Sequence, residues 1–165
     1  MTTSDSNLPA DIPVKLDLDR YLPALITFLA NKLSSGASSC YRNNFGVGIV
    51  EWRMLALLAV EDGITANRVC QVIGLDKAAV SRAVRQLESL QLITAIPDPA
   101  DCRRTILRLT PAGCDMHNRI IQVALARESL LLGDLSSAEV DQLISLLLRI
   151  SARVEDVNRY QPEDL

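Results

Sequence analysis

The amino-acid sequence predicts a mainly α-helical fold that carries one small β-hairpin. Hydrophobic residues make up 48% of the 165 residues but aromatic residues only 4%, so the predicted core is aliphatic, as suits packed helices. Two segments, Leu92 to Ile96 and Thr105 to Leu109, alternate and are rich in β-branched residues, which is typical of strands. The turn-forming run Pro97 to Pro99 begins the connection between them. The length suits one domain with its own core, which we place at residues 15–158.

The domain is predicted to begin and end with helices. A flexible tail at residues 1–14 precedes it, and a second tail at 159–165 follows it. From Asp17 to Leu33 apolar residues fall almost all round the helical wheel, so such a helix must be buried on every side. The "SSGASS" run at 34–39 then predicts a break or a strained turn. One small globule cannot cover so much apolar surface. Helices at about 15–40 and 111–158 are therefore expected to pair with those of a second copy, in a homodimer.

The middle of the chain, about residues 48–110, has the order of a winged helix-turn-helix. A helix from Glu51 to Val60 precedes a helix that Thr65 caps and that Gly74 ends. Asp76 caps the next helix, and the hairpin follows it. In such a unit the second helix of the helix-turn-helix can enter the major groove of DNA.

The C-terminal part of the domain shows two clear helix starts. Pro111 suits the first position of a helix that runs to about Leu132 and is ended by Gly133. Ser136 to Glu139 forms a capping-box pattern, which predicts a last helix that reaches about Val157.

The charge distribution favours a polyanion at the helix-turn-helix. The whole chain is acidic, with a net charge of −3 and a pI of about 5.2, which argues against a generally basic nucleic-acid coat protein. Residues 65–108 nevertheless contain seven Lys and Arg against four Asp and Glu, a net charge of +3, which leaves −6 for the remainder. The positive charge is therefore concentrated in the predicted winged helix-turn-helix.

The fourth helix divides into two sides when it is plotted at 100° per residue. Its apolar side holds Val80, Ala83, Val84, Leu87 and Gln91. The other side is small or basic, which suits base edges and phosphates, and consists of Ala78, Ser81, Arg82, Arg85 and Ser89. Lys77 adds a cation at the helix N-terminus, where the helix dipole also attracts phosphate.

The hairpin tip supplies a second basic cluster, Arg103 and Arg104. Arginine suits a narrow minor groove, where the negative potential is enhanced. Asp101 beside them would repel phosphate, so we interpret it as an orienting residue that pairs with Arg103 or with Arg82. The predicted DNA-binding residues are Thr65, Lys77, Ala78, Ser81, Arg82, Arg85, Arg103 and Arg104.

Residues 76–93, "DKAAVSRAVRQLESLQLI", followed by 98–113, "DPADCRRTILRLTPAG", resemble the MarR family of bacterial transcription regulators. The resemblance covers roughly residues 15–158. It implies a cytoplasmic, nucleoid-associated homodimer that binds a palindromic double-stranded operator as a ligand-responsive repressor. It also implies DNA contacts at Ser81, Arg82 and Arg103. The family commonly has glycine where this chain has Gln91, so we expect the helix to close differently there or under strain.

Two kinds of regulation are open at this point. A small aromatic or amphipathic effector would bind between the dimer helices and the DNA-binding lobe, in a pocket whose candidate lining is Leu25, Leu29, Tyr41, Phe45, Trp52 and Arg53. The plainer interpretation is that these residues are core and that Arg53 forms a structural ion pair. The alternative is a redox-responsive regulator that uses Cys102 or Cys40, against inert thiols as the default.

Other classes of protein have less support. The sequence has no HExxH, GxSxG or glycine-rich phosphate motif, so we do not expect an enzyme. Four cysteines without CxxC spacing and one histidine predict neither a metal site nor a cofactor. The start lacks the pattern of a secretory signal, and the apolar stretches are too short to cross a bilayer, so no membrane association is expected. A winged helix that contacts proteins instead of DNA is the remaining rival.

Overall fold

The computed structural model describes residues 14–99 and 101–164, with only the backbone of Cys102, Arg103 and Asp164. The predicted N-terminal tail therefore lies almost wholly outside the described residues. The elements are α1 (Leu22–Phe45), α2 (Ile49–Val60), β1 (Ile64–Thr65), α3 (Ala66–Ile73), α4 (Lys77–Ser89), β2 (Ile93–Asp98), β3 (Asp101–Leu109), α5 (Pro111–Leu132), α6 (Ser137–Ser151), α7 (Val154–Arg159) and a 3-10 turn (Pro162–Asp164). The predicted fold class, mainly α with a hairpin wing, is confirmed.

Helix α1 begins later than the sequence suggested. The backbone N–H of Tyr21 bonds to the carbonyl of Asp17 at 2.9 Å and closes a turn, and the helix begins only at Leu22. Pro23 lies in its first turn, where a proline needs no hydrogen-bond partner for its nitrogen. The predicted start near Asp17 was therefore about five residues early.

The predicted break at residues 34–39 was wrong, because α1 continues to Phe45 and ends at Gly46 in the left-handed conformation, with φ of 73°. Tertiary packing explains the continuity. Ala37 is buried, and Ser34 accepts a hydrogen bond of 2.8 Å from the Arg53 guanidinium. Serine and glycine weaken an isolated helix, but here the small side chains of this segment allow neighbouring elements to approach closely.

The core lies where α2 meets α3, α4, α5 and the sheet. Its largest fully buried side chains are Met54, Leu55 and Leu58 of α2, Val69 of α3, Val80 and Leu87 of α4, Leu107 of β3 and Ile120 of α5, with Val47 before α2. Ala59, near the end of α2, is exposed. Helix α2 is therefore the central element against which α3, α4, β3 and α5 all pack.

Side-chain caps start α3 and α4 at the positions that the sequence predicted. Thr65 accepts from the backbone N–H of Arg68 at 3.2 Å, and Asp76 accepts from that of Ala79 at 2.7 Å. These caps satisfy backbone donors that the first helical turn leaves free. They therefore set the start of both helices of the helix-turn-helix.

The C-terminal helix predicted to reach Val157 is two helices. The capping box of Ser136 and Glu139 starts α6, as expected. The backbone N–H of Arg153 then bonds to the carbonyl of Ile150 at 2.9 Å, a tighter pattern that ends the α-helical ladder before α7 begins.

The wing is a three-stranded antiparallel sheet in the order β1-β3-β2. Strands β2 and β3 pair from Ile93 opposite Leu109 to Asp98 opposite Asp101, with a register shift next to Asp98. The two-residue strand β1 was not predicted, and it pairs Ile64 with Leu107. Strand β1 ties the start of the helix-turn-helix to the central strand of the wing.

Gln91 turns the chain from α4 into the wing. Its φ is 57°, the one positive φ among the described non-glycine residues. Its carbonyl accepts a hydrogen bond of 2.7 Å from the Thr110 hydroxyl, and the N–H of Leu92 bonds to the carbonyl of Leu87 at 2.9 Å. The expected strain at this position is therefore present, and hydrogen bonds hold the turn.

Candidate nucleic-acid interface

Helix α4 presents the two faces that the helical wheel predicted. Val80, Ala83 and Leu87 are at most 1% exposed and fix the helix on the core. The opposite side is exposed and holds Ala78, Ser81, Arg82, Arg85 and Ser89. The Arg85 Nε donates to the carbonyl of Ser81 at 3.3 Å, which keeps its guanidinium on that side. Gln91, assigned by the wheel to the apolar side, lies beyond the helix and is exposed.

An open groove of about 530 Å³ runs between α4, α3 and β3. It brings together Lys77, Ser81 and Arg85 of the predicted set. It also contains Asn67 of α3 and Thr105 of β3, which are not among the residues predicted from the sequence. Asn67 stands two residues after the Thr65 cap and Thr105 follows the arginines of the wing, so the same elements that were predicted carry them. Arg82 is exposed but does not line this groove.

A smaller hollow of about 430 Å³ joins the wing to the start of α3. It is lined by Thr65, Ala66, Asn67, Arg104 and Thr105. The Arg104 side chain is 59% exposed, and its Nε lies 4.0 Å from the Asp98 carboxylate. The side chain of Arg103 lies outside the described residues, as does that of Cys102. The predicted partner of Asp101 therefore stays a prediction.

Arg68 and Arg108, which the sequence count included among the cations of this region, pair with carboxylates that lie outside it. The Arg68 guanidinium makes two hydrogen bonds of 2.8 Å to the Glu61 carboxylate, which lower the pKa of Glu61. Arg108 pairs with Asp62. Both carboxylates lie just before residue 65, outside the counted segment. The sequence count therefore overstated the charge available to a polyanion.

One carboxylate does line the groove. Glu88 is one turn beyond Val84 and faces the groove together with Ser81 and Arg85. The five-residue set of the helical wheel left it out, although its position on the wheel lies near that of Ser81. Its charge opposes a phosphate but suits the amino group of cytosine.

A second cavity of about 620 Å³ lies between α1, α2 and α5. Of the six residues predicted to line an effector pocket, it contains Tyr41 and Arg53. The other four lie elsewhere. Leu25 and Leu29 are exposed on α1, Phe45 packs beneath the Arg119 guanidinium, and Trp52 stacks on His117 with ring centroids 5.5 Å apart.

Two guanidiniums face this second cavity. Arg53 donates to the Ser34 hydroxyl rather than forming the ion pair considered from sequence. Burial raises the pKa of Tyr41 overall, while the nearby guanidinium of Arg127 acts in the opposite direction. In the described part of the chain neither arginine has a carboxylate within 4.0 Å, although Glu128 also lines the cavity. Cys40, the other redox candidate, is half-buried beside Tyr41.

Apolar side chains are exposed on the helices at both ends of the chain. On α1 they include Leu22, Leu25, Phe28 and Leu29, each at least 41% exposed. On α6 no described residue is buried, and Leu143, Ile144, Leu146, Leu147, Leu148 and Ile150 are all exposed. No helix in the described ranges has both the length and the apolar character needed to cross a membrane.

These elements define a winged helix-turn-helix protein with its recognition helix exposed. A profile of the MarR family matches residues 45–104. A MarR/EmrR family transcriptional regulator from Acinetobacter sp. ADP1 is 35% identical, with a TM-score of 0.80, over 86% of this chain and 99% of that one. The chain belongs to the MarR family of transcription regulators.

Two further relatives differ in the share of their length that this chain matches. A Thauera aromatica protein named for transcriptional regulation of the hcr operon is 32% identical over 97 residues, 59% of this chain and 58% of its own length. The chain thus matches little more than half of that relative. The PcaV transcriptional regulator from Streptomyces coelicolor, solved with its natural ligand, is 25% identical, with a TM-score of 0.69, over 86% of this chain and 99% of that one.

Proposed function

We propose that the protein represses transcription by binding a palindromic operator in double-stranded DNA as a homodimer. Helix α4 occupies the major groove, and the β2–β3 wing contacts the adjacent minor groove. The observation that carries this proposal is the exposure of Ser81, Arg82 and Arg85 on one side of a helix whose other side is anchored by fully buried residues.

The dimensions and chemistry of α4 fit this role. A helix of 13 residues is about 20 Å long, and the major groove, about 12 Å wide, admits one helix. Ala78 keeps the approach to the bases free of bulk, and Ser81, Arg82 and Arg85 offer donors to base edges and phosphates. Lys77, Thr65 and Arg104, with Arg103 of the wing, supply flanking backbone contacts, and Asp101 orients an arginine of the wing.

A second copy of the chain best explains the exposed apolar helices. Six leucines and isoleucines of α6 would face water in a monomer, together with the N-terminal half of α1. Contiguous apolar surface of that kind marks an interface. Pairing these helices would bury the leucines and isoleucines, and to bind two half-sites the two copies of α4 would have to lie about 34 Å apart, one turn of DNA.

The proposal is tested with duplexes that the wild-type protein selects from a random pool. Binding to a selected duplex should weaken steeply between 50 and 200 mM salt, by about a thousandfold or more if six or more phosphates are contacted. Arg82→Ala and Arg85→Ala should each cost about 1–3 kcal/mol of binding free energy. Sedimentation should give twice the 18.1 kDa of one chain.

Arg20→Ala is the matched control, because Arg20 is exposed in the turn before α1, away from α4. It removes the same charge and should leave binding within about twofold of wild type, well under 1 kcal/mol. If Arg20→Ala and Arg82→Ala weaken binding equally, the assignment of the α4 face is wrong. If no duplex binds at low salt, the protein-contact alternative replaces DNA binding.

The second cavity supports a second proposal, that a small aromatic or amphipathic acid regulates the protein. Arg53 and Arg127 place two positive charges, against the single carboxylate of Glu128, on a wall that is otherwise largely apolar and includes Leu33, Ile49 and Ala124. An acid with an apolar body matches both properties of that wall. The relative PcaV was solved with its natural ligand, which is consistent with an effector in this family.

Benzoate and benzamide test this second proposal, since they have nearly the same shape but only benzoate is charged. The single tryptophan, Trp52, contacts Tyr41 of the cavity with ring centroids 5.9 Å apart, so its fluorescence can report binding. Benzoate should change the fluorescence and benzamide should not. Arg127→Gln should weaken the affinity for benzoate at least about tenfold, because a hydrogen bond to a charged group contributes about 1.5–3 kcal/mol. Equal responses to both compounds would rule out an acidic effector.

A further inference from the structure

The turn between α2 and β1, Glu61 to Gly63, pairs with one arginine from α3 and one from β3. We call these three residues the acidic turn. Glu61 receives both hydrogen bonds from Arg68 of α3, and Asp62 pairs with Arg108 of β3. Resting on the proposed DNA binding, we infer that the acidic turn sets the direction of the wing relative to α4 and thereby the sequence selectivity of binding.

The ion pairs do not account for the stability of the fold. The side chains of Arg108 and Asp62 are 49% and 62% exposed, and surface ion pairs of this kind contribute little to folding. Their geometry is nevertheless specific, since Arg68 binds Glu61 through two parallel hydrogen bonds. Ion pairs that have a defined geometry but contribute little to folding are suited to fixing the direction of the wing relative to α4.

Gly63 adapts the backbone to this arrangement. Its φ is 71°, a conformation that glycine adopts without strain. A Cβ at this position would lie 2.8 Å from a guanidinium nitrogen of Arg108. The turn is therefore shaped so that the guanidinium can lie against the backbone next to Asp62.

Arg108 lies near the base of the wing, so small rotations there become large displacements at the tip. Seven residues separate Arg108 from Asp101, a distance of about 24 Å along an antiparallel strand. A rotation of about 10° at the base would move the tip by about 4 Å, more than the length of a hydrogen bond. Contacts that select a sequence need closer control than contacts with phosphate do.

The pairs also keep two arginines away from phosphate. Without Asp62 or Glu61, Arg108 or Arg68 becomes available to any duplex, whatever its sequence. Loss of the acidic turn should therefore weaken the binding of the selected duplex and strengthen that of other duplexes. A residue that merely stabilised the fold would change both affinities in the same direction.

The test compares the selected duplex with a scrambled duplex of the same composition. We expect Asp62→Asn to lower the affinity for the selected duplex about tenfold. The affinity for the scrambled duplex should stay equal or rise, and the salt dependence of that binding should steepen by about one released ion. Glu61→Gln should act in the same direction. Glu155→Gln, which removes an exposed ion pair with Arg159 on α7, is the matched control and should leave both affinities unchanged.

Reversal of the pair tests orientation separately from charge. The double variant Asp62→Arg with Arg108→Asp restores the ion pair, so we expect selectivity to return to within about threefold of wild type. If wild type binds duplexes but Asp62→Asn leaves the ratio of the two affinities unchanged, the inference fails while DNA binding stands. If wild type binds no duplex, both fail.

Discussion

Replacement of Gln91 by glycine should stabilise the protein, although it removes a side chain. Gln91 occupies the left-handed region with φ of 57°, which costs a residue with a Cβ about 1–2 kcal/mol. Glycine avoids that cost but loses about 0.4–1 kcal/mol through the greater freedom of the unfolded chain. The difference is a net gain of about 0.5–1 kcal/mol, or about 1–4 °C in Tm for a chain of this size.

The backbone hydrogen bonds around this turn do not depend on the Gln91 side chain. The N–H of Gln91 bonds to the carbonyl of Glu88 at 2.8 Å, and its carbonyl accepts from Thr110. Gln91→Gly should therefore keep the wing in place. Gln91→Ala is the control, because it removes the exposed amide but keeps the Cβ, and it should stay within about 0.5 kcal/mol of wild type.

Urea unfolding at a fixed protein concentration measures both variants, since dimer stability depends on concentration. The reasoning would be refuted if Gln91→Gly proved less stable than Gln91→Ala. That result would mean that hydrogen bonding or packing, rather than backbone strain, decides which residue suits this turn.

Three further predictions concern the scaffold. Leu87→Ala should destabilise the protein by about 2–5 kcal/mol in urea unfolding, because the Leu87 side chain of α4 is fully buried in the core. A loss under about 1 kcal/mol would contradict the placement of Leu87 in the core. Gly113→Ala should be severely destabilising, since its Cβ would lie 1.9 Å from the carbonyl oxygen of Leu92, whereas Gly133→Ala, with nothing closer than 3.4 Å, should be tolerated in the same assay. Hydrogen bonds from Ser136 lower the pKa of Glu139, so this carboxylate stabilises the folded state above its ordinary pKa of 4.5 and loses that effect as the pH falls below it. Glu139→Gln should therefore reduce the loss of stability between pH 6 and 3, and an unchanged pH profile would contradict the capping role.

The sequence predicted best those features that depend on a few neighbouring residues. The caps at Thr65 and Asp76 and the helix start at Pro111 each follow from local hydrogen bonding or a fixed dihedral, and all three are present. The two faces of α4 follow from helical periodicity alone. These features suffice to define the recognition helix.

Features that depend on distant contacts were missed or misread. Helix α1, which runs through residues 34–39, packs against α2 and α5, so local propensity predicted a break that packing prevents. Strand β1 has only two residues, which no periodicity can reveal, and it exists because β3 lies beside it. The pairs of Arg68 and Arg108 join residues 7 and 46 positions apart, so a charge count could not show that these cations are engaged.

Helix α2 connects the second cavity, where we propose that an acid binds, to the acidic turn, which gives the two proposals a common physical basis. Arg53 faces the cavity, and Glu61 caps the other end of the same helix, eight residues or about 12 Å further along the axis. A rigid helix that tilts at one end must move at the other. An acid bound at Arg53 can therefore alter the wing, provided it binds one tilt of α2 more tightly than the other.

This connection predicts that Asp62→Asn weakens regulation as well as selectivity. In wild type, benzoate should raise the Kd for the selected duplex at least about fivefold, at the low end of usual allosteric coupling. In Asp62→Asn the wing no longer follows α2, so the factor should fall to about twofold or less, while benzoate still changes Trp52 fluorescence. Because coupling is reciprocal, the selected duplex should weaken benzoate binding by the same factor in each protein. An equal factor in wild type and variant would show that the effector acts by another route, such as the spacing of the two copies of α4.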